Sequence, residues 1–130
     1  MSSKLARDVM HRGVIICWAD EPLIDVARRL CEYKINALFV LDDSGRAVGV
    51  ISQIDLARAY MQGNWQHRRA EEIMEPDVVT ITGDIPLNAA VQIMLDKRIR
   101  RLLIVQGGLT PNRPVGVLSL SDLVTEMAGE

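Results

Sequence analysis

The stretch VGVISQIDL, residues 48–56, and the stretch VGVLSLSDL, residues 115–123, have the same form in a chain of 130 residues. In each, a glycine is followed three residues later by a serine, and that serine is followed three residues later by an aspartate. A pattern that recurs in this way is typical of a structural unit that the chain contains more than once. The repeat therefore decides how the rest of the sequence is divided.

Other residues repeat at nearly the same distance. VMHRGV at 9–14 matches IMEPDV at 73–78, 64 residues later, while Gly49 and Gly116 are 67 residues apart. The three extra residues fall in GGLTPNR, residues 107–113, whose Gly, Pro and Asn are typical of a surface turn. We interpret residues 1–130 as one module. It consists of a first repeat over 8–60, a polar linker over 61–71 and a second repeat over 72–127.

Periodicity predicts the same order of elements in both repeats, namely strand, helix, strand, strand, helix, which is a mixed α/β fold. VIICW and VVTIT are short β-branched runs, and each leads into a helix. Asp20 and Asp84 are expected to cap these helices, with Pro22 and Pro86 in the first turn. The remaining strands are predicted in ALFVLD and AVGVIS and in their counterparts RLLIVQ and PVGVLS.

The first helix of each repeat has an apolar face with helical spacing. Since a unit of about 50 residues is too small to cover both faces of its sheet, the two repeats are expected to pack on each other. Two free cysteines, Cys17 and Cys31, are expected to be reduced and buried in the core. The predicted inward residues are Leu23, Val26, Ala27, Leu30 and Cys31 in the first repeat, and Leu87, Ala90, Val91, Met94 and Leu95 in the second.

The Ser-x-x-Asp pattern has two interpretations. It can be a capping box, in which the serine accepts from a backbone N–H of the first turn and the acid reaches back. Alternatively, the helix N-terminus and the serine hydroxyl can hold a phosphate while the carboxylate pairs with the diol of a ribose. Under the second interpretation, Gly49 and Gly116 would let a ligand approach the backbone closely.

The tandem arrangement and the G-x-x-S-x-x-D ending of each unit resemble a pair of CBS domains, the module named after cystathionine beta-synthase and called a Bateman module when paired. The resemblance covers residues 8–127. It implies two pseudo-twofold-related units packed sheet to sheet, with two clefts between them that bind adenosine-containing ligands such as AMP, ADP, ATP or S-adenosylmethionine. It further implies a regulatory module that needs no other cofactor, senses such a ligand, and acts on a separate protein that the sequence does not name.

Carried over from the family position by position, Asp55 and Asp122 are the ribose-binding acids, and Ser52 and Ser119 are the hydroxyls beside the phosphate or ribose. The segment before the second strand lines the pocket in the family, and the first strand lends backbone contacts to the adenine. Because guanidinium groups grip phosphate oxygens, the second repeat is expected to hold the tighter site for phosphorylated ligands. These further positions are Asn36, Ala37 and Ile16 in the first repeat, and Arg100, Arg101 and Thr80 in the second.

The sequence argues against several other classes of function. A net charge of -2 offers no general field for nucleic acid, although KRIRR at 97–101 can be a nucleic-acid patch, a solvated helix end or a phosphate contact. His11 and His67 have no partners at metal-ligand spacing, and no catalytic motif is present, so we expect neither a metal site nor an enzyme. No apolar run approaches ~18 residues, so we expect a cytoplasmic protein without a membrane span.

Three functional hypotheses remain. The first is the adenosine-nucleotide sensor, and the second is a ligand-free dimerisation or scaffold module in which the Ser-x-x-Asp motifs only cap helices. The third, and the least expected, is a nucleic-acid-binding protein. A homodimer is predicted because the closing helices carry more apolar surface than one core needs. The residues concerned are Leu56, Ala59, Tyr60, Leu123, Val124 and Met127.

Overall fold

A computed structural model describes residues 4–129, and the side chains of 110–112 are outside the described part. The ends of the predicted module, residues 1–3 and 130, therefore lie outside the described residues, as do three side chains of the predicted insertion at 107–113. The chain forms two compact units, and we describe each by itself. The contiguous unit is Ile15–Val78, and the split unit combines Met1–Val14 with Val79–Glu130.

The elements follow the predicted order in both repeats, and short elements precede each of them. In chain order they are α1 (Ala6–Val9), β1 (His11–Arg12), β2 (Ile16–Trp18), α2 (Leu23–Tyr33), β3 (Ala37–Leu41), β4 (Ala47–Ser52), α3 (Gln53–Gln62), a 3₁₀ turn (Trp65–His67), α4 (Ala70–Ile73), β5 (Thr80–Thr82), α5 (Leu87–Lys97), β6 (Arg101–Gly107), β7 (Thr110–Ser119) and α6 (Leu120–Met127).

The contiguous unit has a three-stranded sheet in the order β2-β3-β4. Strand β2 runs parallel to β3, and β3 pairs antiparallel with β4, in the register Ala37 to Ser52. Ala70, which lies in the predicted linker, is fully buried in the core of this unit because α4 packs there. The other buried residues of that core are Cys17, Val26, Leu30, Leu38, Val40 and Ile51.

The split unit has a four-stranded sheet in the order β1-β7-β6-β5. Strand β5 runs parallel to β6, while β6–β7 and β7–β1 are antiparallel, so the N-terminal segment of the chain forms one edge of this sheet. Ala6 from α1 is fully buried in the core. The other members of the core are Ile81, Leu87, Ala90, Met94, Leu102, Ile104 and Leu118.

The predicted caps of the first helices are wrong. Pro22 and Pro86 are themselves the N-caps, and no side chain accepts a hydrogen bond at either helix start. The proline ring fixes an extended turn, so each helix begins after the proline, at Leu23 or Leu87, two residues later than a cap at Asp20 or Asp84 predicts. Glu21, rather than Asp20, accepts the backbone N–H of Trp18 at 3.0 Å, and Asp84 accepts a hydrogen bond from the Thr82 hydroxyl.

The predicted buried face of the first helices is too wide. Cys31 and Leu95 are exposed, whereas Cys17 is fully buried. Eight residues along a helix rotate a side chain by roughly 80° from the starting position, which takes Cys31 and Leu95 to the margin of the apolar stripe. At Cys17, burial and then the nearby Glu21 carboxylate raise the thiol pKa to about 12.

Candidate functional site

Both Ser-x-x-Asp motifs are complete capping boxes. At the start of α3, the Ser52 N–H donates to Asp55 Oδ2 at 2.8 Å and the Ser52 hydroxyl donates to the same oxygen at 3.0 Å. The Asp55 N–H donates back to the serine oxygen at 3.4 Å. The aspartate is 5% exposed, and its buried carboxylate is compensated by the two hydrogen bonds from Ser52.

The start of α6 repeats this geometry. The Ser119 N–H and hydroxyl donate to Asp122 Oδ2 at 2.8 and 3.0 Å, and the Asp122 N–H donates to Ser119 Oγ at 3.3 Å. Ser121 adds a second hydroxyl 2.8 Å from that of Ser119. The predicted cap is confirmed in both repeats. A serine hydroxyl has only one proton, so donation to a ligand would require it to release its aspartate or, in this unit, Ser121.

The segments before the second strands lie beside these helix starts. The Asn36 carbonyl accepts the Gln53 N–H at 3.0 Å, and Ala37 is paired with Ser52 across the β3–β4 ladder. The structure therefore brings four of the predicted positions of the first repeat together, namely Asn36, Ala37, Ser52 and Asp55.

The split unit places the equivalent residues in the same way. The Arg100 carbonyl accepts the Leu120 N–H at 3.0 Å, and Arg101 is paired with Ser119. Arg100 is exposed and Arg101 is half-buried, while Ile99 between them and the helix packs against the core. KRIRR therefore runs from the end of α5 to the start of β6, and the backbone of Arg100 and Arg101 adjoins the Ser119–Asp122 box.

The first-strand residues lie further away. Ile16 and Thr80 are on β2 and β5, which pair with β3 and β6 and not with the strands that end in the serines. The Ile16 carbonyl accepts a hydrogen bond from Arg29 Nη1 at 3.0 Å, and Thr80 is exposed. Neither residue contacts a capping box through any interaction that the structure records.

Sequence reasoning missed the residue that faces the second carboxylate oxygen of Asp122. His11 Nε2 lies 2.6 Å from Asp122 Oδ1, while the imidazole is 78% exposed and the aspartate 6% exposed. His11 comes from β1, where it pairs with Val117 one residue after Gly116. The histidine is thus not simply solvated; it joins the N-terminal segment to the capping box of the second repeat.

In the contiguous unit an acid takes the place of this histidine. Glu75 forms two backbone hydrogen bonds with Val50, at 2.8 and 2.9 Å, and its carboxyl group lies beside Asp55. The hydrogen bond to Asp55 and the repulsion between the two carboxylates raise the pKa of Glu75. Arg58 Nη1 is 3.6 Å from Asp55 Oδ1 and 3.9 Å from Glu75 Oε1.

The predicted role of the two glycines in admitting a ligand is wrong. A Cβ atom at Gly49 would lie 2.5 Å from Met74 Sδ, and one at Gly116 would lie 2.6 Å from the His11 carbonyl oxygen. The space beside each glycine is therefore occupied by the segment that carries Glu75 or His11. The signal was present in the sequence, because Met10 and Met74 repeat at the same distance as His11 and Glu75.

The family model of the CBS domain matches the chain twice, over residues 6–62 and over residues 70–129. These two matches follow the sequence repeats and leave only short stretches unmatched.

Curated relatives match nearly the whole chain. An uncharacterized protein of Methanopyrus kandleri, MK0525, is 29% identical over 126 residues, which are 95% of this chain and 63% of that protein. The L-aspartate semialdehyde sulfurtransferase and the inosine-5'-monophosphate dehydrogenase of Methanocaldococcus jannaschii are each 26% identical. The chain spans 24% and 23% of the length of these two enzymes.

Solved structures share the fold. The CBS domain pair of protein MJ0100, in complex with 5'-methylthioadenosine and S-adenosyl-L-methionine, has a TM-score of 0.84 and 26% identity, and the match covers 98% of both chains. CBSX2, in complex with AMP, has a TM-score of 0.79 at 21% identity, covering 97% of both chains. Within the described residues, no helix has the length and apolar character that a bilayer span needs.

Proposed function

The chain belongs to the CBS domain family as a tandem pair, and from this we propose that it is a regulatory module that binds an adenosine-containing ligand and controls a separate protein. CBS pairs are generally regulatory, and the enzymes among the relatives are much longer than this chain. The module is not itself a catalyst in this proposal, and its cytoplasmic location stays a prediction.

One observation carries the proposal, namely the duplicated Ser-Asp box with its second carboxylate oxygen outside the box. In each box Oδ2 takes the serine hydrogen bonds, so Oδ1 of Asp55 and of Asp122 is the oxygen left for a ribose hydroxyl. The pairing of a carboxylate with a ribose diol is a general feature of nucleotide sites. Protein MJ0100, of similar fold, binds two adenosine compounds.

The proposed sites use the residues of each repeat that the resemblance assigns. The first comprises Ser52 and Asp55 with Asn36, Ala37 and Ile16, and the second comprises Ser119 and Asp122 with Arg100, Arg101 and Thr80. We rank the second site higher for phosphorylated ligands. Charge-assisted hydrogen bonds of an arginine to phosphate contribute about 1.5–3 kcal/mol, roughly tenfold or more in affinity.

The ligand-free scaffold is the second candidate, and the completeness of the capping boxes favours it. Every hydrogen bond of the box is made within the first turn, so both motifs are accounted for without a ligand. A nucleic-acid binder is disfavoured because Ile99 divides the basic run and packs inward. Salt-sensitive binding to any duplex would identify that third class.

Titration calorimetry with AMP, ADP, ATP and S-adenosylmethionine tests the proposal, with GMP and CMP as comparison ligands. We expect binding of adenine compounds that is well above that of the guanine and pyrimidine nucleotides. Asp122→Ala, or Arg100→Ala with Arg101→Ala, should abolish the tight phase for AMP or ATP, and Asp55→Ala should leave it largely intact.

Loss of a cap costs about 1 kcal/mol of stability by itself, so each aspartate variant needs a control that loses a cap elsewhere. Asp8→Ala removes the acceptor of the Leu5 N–H in the split unit, and Glu72→Ala removes that of the Arg69 N–H in the contiguous unit. Both control variants should bind the adenine compounds with the affinity of the wild-type protein. If none of the adenine compounds gives a heat of binding, the ligand-free scaffold becomes the leading function. If only Asp55→Ala loses the high-affinity phase for AMP or ATP, the first site and not the second is the tighter one.

A further inference from the structure

His11 and Glu75 occupy the same position of the two repeats, 64 residues apart. Each is paired through its backbone with the strand that leads into a capping box, and each reaches the aspartate of that box. We propose that this position sets the charge of the adenosine ligand that each site accepts. The Asp122 site takes an anionic ligand such as a nucleoside phosphate, and the Asp55 site takes an adenosine compound with a cationic tail.

This inference rests on the proposed function, because it needs a ribose on the aspartates. In both units Oδ2 is occupied by the serine N–H and hydroxyl, which leaves Oδ1 for a ligand hydroxyl. A carboxylate oxygen has two acceptor positions, so Oδ1 of Asp122 can accept from a ribose hydroxyl while it contacts His11. A ribose bound there lies beside His11 in one unit and beside Glu75 in the other.

The surroundings of Asp122 favour an anion. His11 directs Nε2 at the carboxylate, and Arg100 and Arg101 adjoin Ser119 through the ladder and the first helical N–H. The imidazole thus faces the carboxylate, two arginines lie on the adjoining backbone, and the start of α6 adds the positive end of its dipole.

The charges around Asp55 are predominantly negative. Asp55 and Glu75 contribute two carboxyl groups, and among the described residues Arg58 is the basic side chain that lies within 4 Å of both. The positions equivalent to the two arginines are Asn36 and Ala37, which carry no charge. The pKa of Glu75 is raised because its protonated carboxyl group can donate a hydrogen bond to Asp55 and because the Asp55 carboxylate repels a second negative charge, so the two carboxyl groups act on each other directly. A ligand cation placed beside them would relieve that repulsion.

Coulomb's law gives the size of the effect. One unit charge at roughly 6 Å from a ligand charge, in a medium close to water, changes affinity about threefold, and partial shielding from water raises this to about tenfold. His11→Glu adds a negative charge beside Asp122 and Glu75→His removes one beside Asp55, so the reciprocal exchange of His11 and Glu75 should have the largest effect.

Three probes that share adenosine separate charge from shape, namely AMP as the anion, 5'-methylthioadenosine as the neutral compound and S-adenosylmethionine as the cation. Calorimetry on Asp122→Ala protein reads the Asp55 site, and calorimetry on Asp55→Ala protein reads the Asp122 site. In Asp122→Ala protein, adding Glu75→His should weaken the binding of S-adenosylmethionine and tighten the binding of AMP, by roughly tenfold each. In Asp55→Ala protein, adding His11→Glu should weaken the binding of AMP and tighten the binding of S-adenosylmethionine by a similar factor.

The milder variant Glu75→Gln also removes a charge, so it should shift the ratio at the Asp55 site by roughly threefold and serves if Glu75→His does not fold. His11→Gln removes the imidazole without adding a charge, so it should shift the ratio at the Asp122 site in the same direction as His11→Glu but by a smaller factor. 5'-Methylthioadenosine should change less than twofold throughout, and Glu71→Gln, an exposed acid on α4, should shift no ratio. An AMP to S-adenosylmethionine ratio that stays within twofold in all four variants would overturn the inference while leaving adenosine binding intact. Wild-type protein that binds none of the three probes would overturn the proposed function, and the inference with it.

Discussion

Gly49 and Gly116 stand where two backbone segments cross within a unit. At Gly116 the atom nearest to an added methyl group would be a backbone oxygen, that of His11, at 2.6 Å, whereas at Gly49 the nearest atoms all belong to the Met74 side chain. Neither glycine has a positive φ, so the absence of a side chain, and not an unusual backbone conformation, is what the fold requires here. Because both glycines lack a side chain, the segments that carry His11 and Glu75 can pack closely enough to reach the aspartates.

Gly116→Ala should lower the free energy of unfolding by about 1–3 kcal/mol, because strand β1 must move to admit the methyl group. Gly49→Ala should cost less, since the thioether of Met74 can rotate away. Denaturant unfolding of both variants measures the difference. Adding Met74→Ala to Gly49→Ala should recover part of the loss, whereas adding Met10→Ala to Gly116→Ala should recover little, because the His11 carbonyl remains. Equal rescue at both sites would contradict this explanation.

At the scale of single elements, Arg29 ties α2 to β2 and to the loop between them. Arg29 donates to Glu21 from both terminal nitrogens, at 3.1 and 2.9 Å, and to the Ile16 carbonyl at 3.0 Å. Burial alone would raise the pKa of Glu21, but the hydrogen bonds from Arg29 and from the Trp18 N–H outweigh it and hold that pKa below its usual value. The second repeat has Ile85 and Ile93 at the equivalent positions, so this tie belongs to the contiguous unit alone.

Glu21→Gln should lower the free energy of unfolding by about 1–3 kcal/mol at pH 7, because charge-assisted bonds become neutral ones. A carboxyl group with a lowered folded-state pKa stabilises above its unfolded value, and this contribution is lost as the pH falls through the folded value. The gap between wild type and variant should therefore close as the pH drops below 4.5, the usual value for this group. Asp25→Asn is the control, since the ion pair of Asp25 with exposed Arg28 is long, at 3.9 Å, and its loss should cost less than about 0.5 kcal/mol. A gap that does not change with pH would contradict the role of the charge.

The sequence predicted the long helices and strands well, but it predicted the helix starts and the extent of the buried faces poorly. Hydrophobic period identifies β3, β6 and the first helices, and the Ser-x-x-Asp pattern identifies the starts of α3 and α6, because these signals are local. The start of α2 after Pro22 and the exposure of Cys31 depend instead on tertiary packing at the two ends of the helix, which local sequence does not determine. His11 and Glu75 could not be assigned to the site from local signals, since their partners lie far away in sequence.

At the scale of the whole molecule, sequence repeats and compact units do not coincide. The segment with α1 and β1 begins the first repeat but packs in the split unit, and the segment with α4 and Glu75 begins the second repeat but packs in the contiguous unit. Each unit therefore completes its core with a segment from the other repeat, and that segment also places a side chain beside the aspartate of the capping box. Two copies linked in this way are expected to depend on each other for stability, in contrast to independent domains joined by a linker.

Self-association is the remaining prediction at this scale, and the exposed apolar residues of the closing helices support it. Ile54, Tyr60 and Met61 of α3 and Val124 and Met127 of α6 are all more than half exposed, whereas Ala59 is buried and Leu56 and Leu123 are half-buried. Exposed apolar side chains on each of these two helices are typical of an interaction surface. We therefore expect a homodimer with isologous contacts, so that light scattering at micromolar concentration gives about twice the chain mass of 14.5 kDa.

Tyr60→Glu combined with Val124→Glu should return the protein to the mass of a single chain, because charges placed in an apolar contact are costly to desolvate. Both side chains are exposed, at 67% and 62%, so the substitutions should leave the fold intact, as circular dichroism can verify. Leu109→Glu is the matched control, since Leu109 is a fully exposed apolar residue in the turn between β6 and β7, and that variant should remain a dimer. Wild-type protein that scatters as a single chain with and without an adenosine ligand would refute the homodimer. A Leu109→Glu variant that dissociates equally would show that the contact does not use the closing helices.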